Sequence, residues 1–78
     1  MPTILRIGPY RFLFYANENR EPHHIHVQRE RMLAKFWLQA VALASSVGFA
    51  APEINRLLHL VNEHQSKFVE AWNEFFGA

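Results

Sequence analysis

Three of the five histidines stand within four positions, at His23, His24 and His26, directly after Glu21-Pro22. An imidazole changes charge near neutral pH, hydrogen-bonds through two distinct nitrogens and ligates metal ions. His24 and His26 are two apart, so on an extended strand both point to the same side and both could reach one ion. Two ligands are too few for a structural zinc site. A third would come from His59, His64, Glu21 or a partner, and the spacing does not fix which. The same pair, placed with Arg11 and Lys35 and with Trp37 and Tyr15 to stack on, suits an RNA backbone and an unpaired base. It would also serve metal-free RNA cleavage, with one imidazole as base, the other as acid, and Lys35 or Arg11 on the phosphate. The plainest alternative is structural: partly buried polar strand histidines whose nitrogens are satisfied by backbone groups. The primary reading therefore takes no cofactor, and a divalent ion such as zinc on His24 and His26 is the alternative.

No other stretch competes for chemistry. Ser45-Ser46 has no local His–Asp context, and there is no glycine-rich phosphate loop and no paired-carboxylate spacing. Whether the chain is an enzyme or a binding module is left open by these residues.

The elements that must position the histidines are legible from periodicity. Seventy-eight residues make one domain, and half of them are hydrophobic, enough for a core. A chain this short buries only about 60% of its extended surface, so its stability margin is thin. Thr3 to Ile7 is a short β-branched run ended by Gly8-Pro9. Tyr10 to Tyr15 then alternates, and the two runs read as a hairpin. Ala16 to Arg20 is a polar turn in which Asn17 and Asn19 suit positive φ. Pro22 allows only an edge or the start of a strand. From His23 the alternation resumes, and Met32 to Leu38 supplies a fourth strand after the charged turn at 28–31. Residues 39–48 fit either a fifth short strand or a helical turn, broken by Gly48-Phe49.

From about Ala51 the period becomes helical. Ile54, Leu57, Leu58, Val61, Phe68, Trp72 and Phe75 fall on one stripe. Pro52 belongs in the first turn, Glu53 suits the positive helix end, and Gly77 can close the C-terminus. A single helix from 51 to 76 would be about 39 Å long, more than one small sheet covers. Either it breaks near Glu63–Ser66 or its end projects and leaves Phe68, Trp72, Phe75 and Phe76 as an apolar patch for a homodimer or another partner.

The expected fold is thus α+β: residues 1–47 an antiparallel sheet of about four strands, residues 48–78 one long C-terminal helix, broken or projecting, packed on one face. The core is Phe12, Phe14, Ile25, Val27 and Phe36 against Ile54, Leu58 and Val61. The opposite face should present Arg11, His24, His26, Lys35 and Trp37.

Charge sharpens this. The net charge of +1 divides unevenly: residues 1–40 carry six basic and three acidic side chains, whereas 41–78 carry two basic and four acidic. A basic front half points towards an anionic partner. The absence of cysteine excludes disulfides and thiolate metal sites and fits a reducing cytosol. The apolar start is cut by Arg6, Gly8, Pro9 and Arg11, which does not fit a signal peptide. The longest uncharged stretch, 36–52, falls short of the roughly 20 apolar residues of a membrane span.

Several separate motifs carry a resemblance. Pro2-Thr3-Ile4, Glu21-Pro22 followed by His24-Ile25-His26-Val27, Ala34-Lys35-Phe36-Trp37-Leu38, Gly48-Phe49 and Glu70-Ala71-Trp72-Asn73 resemble, in order and over nearly the whole chain, the small bacterial family called domain of unknown function 4160. The resemblance implies a cytoplasmic bacterial protein of toxin–antitoxin type, with a small cognate protein encoded nearby as its partner. Two positions depart from the family pattern. His23 stands where a second proline is common, and Ala50 where a serine helix cap is common, which weakens helix initiation by about 1 kcal/mol.

Overall fold

The computed structural model describes residues 3–16, 18 and 20–77. It is an α+β fold of five strands and two helices: β1 (Thr3–Ile7), β2 (Tyr10–Leu13), β3 (His24–Arg29), β4 (Met32–Trp37), β5 (Ala42–Val47), α1 (Ala51–Glu63) and α2 (Gln65–Phe76). The strands form one antiparallel meander in the order β1-β2-β3-β4-β5. The sheet therefore has five strands rather than about four, and the helical region is two helices rather than one. The expected positive φ at Asn17 and Asn19 lies outside the described residues.

Short turns fix the register. Ile7 pairs with Tyr10 across Gly8-Pro9, and Arg29 pairs with Met32 across Glu30-Arg31. Phe12 then lies opposite Val27, which lies opposite Ala34. Side-chain direction alternates along each strand, so this register collects Tyr10, Phe12, Phe14, Ile25, Val27, Ala34, Phe36 and Leu38 on one face, all buried. Leu57, Val61, Phe68 and Trp72 close over them from the helices, with Phe12 stacked on Phe68 at 5.2 Å. The strand side of this core is the one the alternation predicts, but on the helix side only Val61 of the expected trio is buried: Leu57 fills the place expected of Ile54 and Leu58, which are partly buried.

The fifth strand is the segment whose sequence was ambiguous. It pairs with β4 through a bulge at Ala44, where Lys35 faces Ser45 and Phe36 faces Leu43. Nearly all of it is exposed. At its end Gly48 has φ 94°, and a Cβ there would lie 2.6 Å from Met32 Cγ. Both the backbone and the close approach call for glycine.

The helices part at His64 (φ −108°, ψ 16°), within the Glu63–Ser66 window. The break spares α2 from projecting. It folds Phe68 and Trp72 into the core, and the Gln65 side chain donates to the Leu38 carbonyl just past β4. Pro52 lies in the first turn of α1, and Gly77 (φ 69°) closes α2 with its N–H on the Asn73 carbonyl at 2.9 Å. Ala50 is the N-cap of α1 and gives no side-chain cap. No described helix is long and apolar enough to cross a membrane.

Candidate functional site

The other sheet face holds the chemistry. Its residues are Arg11 and Leu13 on β2, His24, His26 and Gln28 on β3, and Leu33, Lys35 and Trp37 on β4, with His24 opposite Trp37 and His26 opposite Lys35. His24 and His26 alternate with Ile25 and Val27 and so lie on the sheet face opposite the core. The expectation that they face solvent is corrected: His24 is 0% and His26 6% exposed. The chain leaving β2 lies over this end of the face. Tyr15 meets the His26 ring edge-on at 4.4 Å, and Glu18 reaches both imidazoles. Trp72 also touches His24, at 4.8 Å between ring centres.

Glu18 is the residue that sequence reading missed. Its Oε1 lies 2.9 Å from His24 Nε2 and 2.7 Å from His26 Nε2. The ligand atoms of Glu18, His24 and His26 all lie within 4.8 Å of one another. None of the third ligands expected from this chain joins this group. Glu21 pairs instead with Lys35, and neither His59 nor His64 belongs to the cluster. Glu18 sits in a polar loop with no periodicity to orient it, so only the fold reveals its direction. His23, the third histidine of the motif, turns the other way. Its Nε2 is 2.9 Å from Asn73 Oδ1 and its ring lies on Trp72, tying the start of β3 to α2.

The electrostatics follow from this packing. Burial raises the Glu18 carboxyl, but the hydrogen bonds and charges of His24 and His26 outweigh it and hold the carboxyl below its usual range. Burial is the largest effect on His26 and lowers it. The Glu18 contact opposes this, while His24 and Lys35 reinforce it. His24 Nδ1 lies 2.9 Å from the Pro22 carbonyl oxygen, which can only accept, so that nitrogen carries a proton and donates it. His26 Nδ1 is buried with no protein partner.

The cations expected beside the histidines are engaged. Lys35 is bonded to Glu21, and its ammonium stands 4.8 Å from the centre of the Trp37 ring. Arg11 donates to Thr3 Oγ1 and Gln28 Oε1. The register thus brings Arg11, His24, His26, Lys35 and Trp37 to one face as expected, but as a paired and largely covered cluster. Of the proposed interface aromatics, Phe68 and Trp72 are in the core, Phe76 is half-buried and Phe75 is 41% exposed. Among the described residues the exposed large apolar side chains besides Phe75 are Leu43 and Val47, both on β5.

The family described as Domain of unknown function (DUF4160) matches residues 10–73. The chain belongs to this family. The match spans β2 through most of α2 and includes the Glu18–His24–His26 cluster. No curated protein and no solved structure matches the chain.

Proposed function

We propose that the protein is an interaction module that docks a partner strand on β5, as one half of a toxin–antitoxin-type pair in the bacterial cytoplasm would. The observation supporting this reading is the character of that edge. β5 is the last strand of the meander, so among the described residues its outer row of backbone N–H and C=O groups has no strand to pair with. Such edges are ordinarily blunted with charge or proline. This one has neither: residues 36–51 contain no charged side chain and no proline. Its Val47 is 69% and its Leu43 43% exposed. The bulge at Ala44 is its one irregularity. A protein segment added in β form would gain main-chain hydrogen bonds, with Leu43 and Val47 as side-chain contacts on opposite faces. An RNA partner on the basic face has less support, because Lys35 is paired with Glu21 and the imidazoles are buried.

The test uses the wild type and a Leu43→Lys/Val47→Lys double variant, both checked for folding by circular dichroism. The wild type should capture a small protein from its source cells, or self-associate in sedimentation equilibrium, and the β5 amides should become protected from hydrogen exchange in the complex. The variant should do neither. A partner that binds both proteins equally, or protection appearing elsewhere than β5, rules the reading out.

A further inference from the structure

We infer that Glu18, His24 and His26 form a binding site for one divalent zinc-type ion, held by two imidazole Nε2 atoms and one carboxylate oxygen. The argument begins with the proton on His24 Nδ1. The Pro22 carbonyl at 2.9 Å fixes that nitrogen as a donor. In the neutral ring the other nitrogen, Nε2, then presents a lone pair, and it presents it to Glu18 Oε1 at 2.9 Å. A lone pair facing a carboxylate oxygen inside a buried cluster is repulsive unless positive charge lies between them. Either a second proton or a metal ion supplies it.

Three features favour the metal. First, a second nitrogen converges on the same place: His26 Nε2 lies 2.7 Å from the same carboxylate oxygen, its ring perpendicular to that of His24. One proton between His24 and Glu18 does not use this convergence, whereas an ion takes all three atoms. Second, a metal-bound imidazole ordinarily donates its other N–H to a carbonyl or carboxylate, which fixes the tautomer and orients the ring. The Pro22 carbonyl does this for His24. Third, the obvious competitor is removed. Lys35 lies directly across from His26 but its ammonium is drawn to Glu21.

The dimensions suit a small ion. Ligands about 2.0–2.2 Å from zinc in a tetrahedron stand roughly 3.3 Å apart. The three ligand atoms now span up to 4.8 Å, so the two imidazole nitrogens must close towards each other while Glu18 withdraws by a few tenths of an ångström from contacts of 2.7 and 2.9 Å, which its side chain, on a loop and 22% exposed, can do. Two imidazoles and a carboxylate, with no sulfur, suit zinc and its imidazole-binding neighbours better than calcium or magnesium. Three protein ligands leave a fourth position for water or a partner's group. Neutral imidazoles with one carboxylate bring the site one negative charge against the ion's two positive charges.

The experiment uses the full chain stripped with chelator, titrated with Zn²⁺ and, for its spectrum, with Co²⁺. One equivalent should bind, with visible d–d bands of a four- or five-coordinate cobalt site. The His24 and His26 Nε2 signals should shift in nitrogen NMR. Glu18→Gln keeps the shape of the side chain and should weaken binding on the order of 100-fold while the circular dichroism stays that of the wild type. His26→Ala should do the same. A His59→Ala/His64→Ala control should bind as the wild type does. Absence of stoichiometric binding overturns the inference and leaves a proton as the charge between His24 and Glu18. Binding that survives Glu18→Gln, or that is lost in the His59/His64 control, places the ion elsewhere and overturns it equally.

Discussion

The two faces of β3 are equally dry but are kept so by different means. Ile25 and Val27 are sealed by helices that bury their own apolar stripe in the same act. His24 and His26, on the opposite face, are sealed by a loop carrying Tyr15 and Glu18 and by each other's polar groups, with Trp72 of α2 reaching only His24. The first kind of burial is driven by removing apolar surface from water, worth about 25 cal/mol per Å² and tolerant of detail. The second costs desolvation and is repaid only where each polar atom finds a partner. A loop-covered polar face in so small a domain is thus the part of the molecule least explained by folding alone.

The largest expected effect tests the helix face. Ile25→Ala opens a hole in a fully covered layer and should cost about 2–5 kcal/mol. That is a large share of the roughly 5–15 kcal/mol that holds a typical domain together. Urea unfolding of purified protein measures it. A loss under 1 kcal/mol would mean that the helices do not seal this face.

His24→Ala tests the loop face. Read from sequence as an exposed histidine, this position would be expected to matter by less than about 0.5 kcal/mol. Its burial, its contacts to the Pro22 carbonyl and Glu18, and its packing on Trp72 raise the expected loss to about 1–3 kcal/mol. Unfolding under the same conditions as Ile25→Ala separates the two values. Equal losses would make the histidine as much a core residue as the isoleucine, and the contrast between the faces would vanish.

That revision shows what alternation conveys and what it does not. The period-two pattern of 10–15, 23–28 and 32–38 assigns these residues to the right faces, because register reverses a whole face at once. It carries no information about what covers the face. Glu18 is aperiodic, and its role depends on the path of a loop. β5 escaped a firm assignment for a related reason. As a nearly fully exposed edge strand with a bulge it has no buried side to imprint a period, and Ala, Leu and Ser serve helix and strand alike. The helix break was legible as a length argument, since 26 residues in one rod outrun the sheet. Its position inside Glu63–Ser66 has no proline or glycine to mark it.

A smaller change stabilises one face only. Ala50 has the extended backbone of an N-cap (φ −78°, ψ 159°) but no side chain to bond the first turn of α1. Ala50→Ser should supply that bond and add about 1 kcal/mol. The gain should appear in the hydrogen exchange of α1 amides and leave the amides around Glu18 as they were. Equal slowing on both sides of the sheet would show that the two faces open together as one unit.

The smallest expected effect concerns the polar clasp at the rim of the helix face. Tyr10 donates its hydroxyl to Glu53 Oε2 at 2.7 Å, and Arg29 Nη2 donates to Glu53 Oε1 at 2.9 Å, tying the first turn of α1 to β2 and β3. The Tyr10 hydrogen bond, and after it that of Arg29, hold the Glu53 carboxyl below its usual range. The folded value is thus lower than the unfolded one, so the clasp contributes in full above the unfolded carboxylate pKa of about 4.3 and fades as pH falls through the folded value. Between pH 7 and 5 the melting temperature should be indifferent to this group. Below that it should fall, and in Glu53→Gln that part of the fall should be missing, since an amide has no proton to take up there. The variant should start lower at pH 7, having lost the charged contact to Arg29, and the two curves should converge in acid. Parallel curves down to pH 3 would mean that Glu53 binds no differently in the folded and unfolded chains, and that hydrophobic burial alone fastens α1 to the sheet.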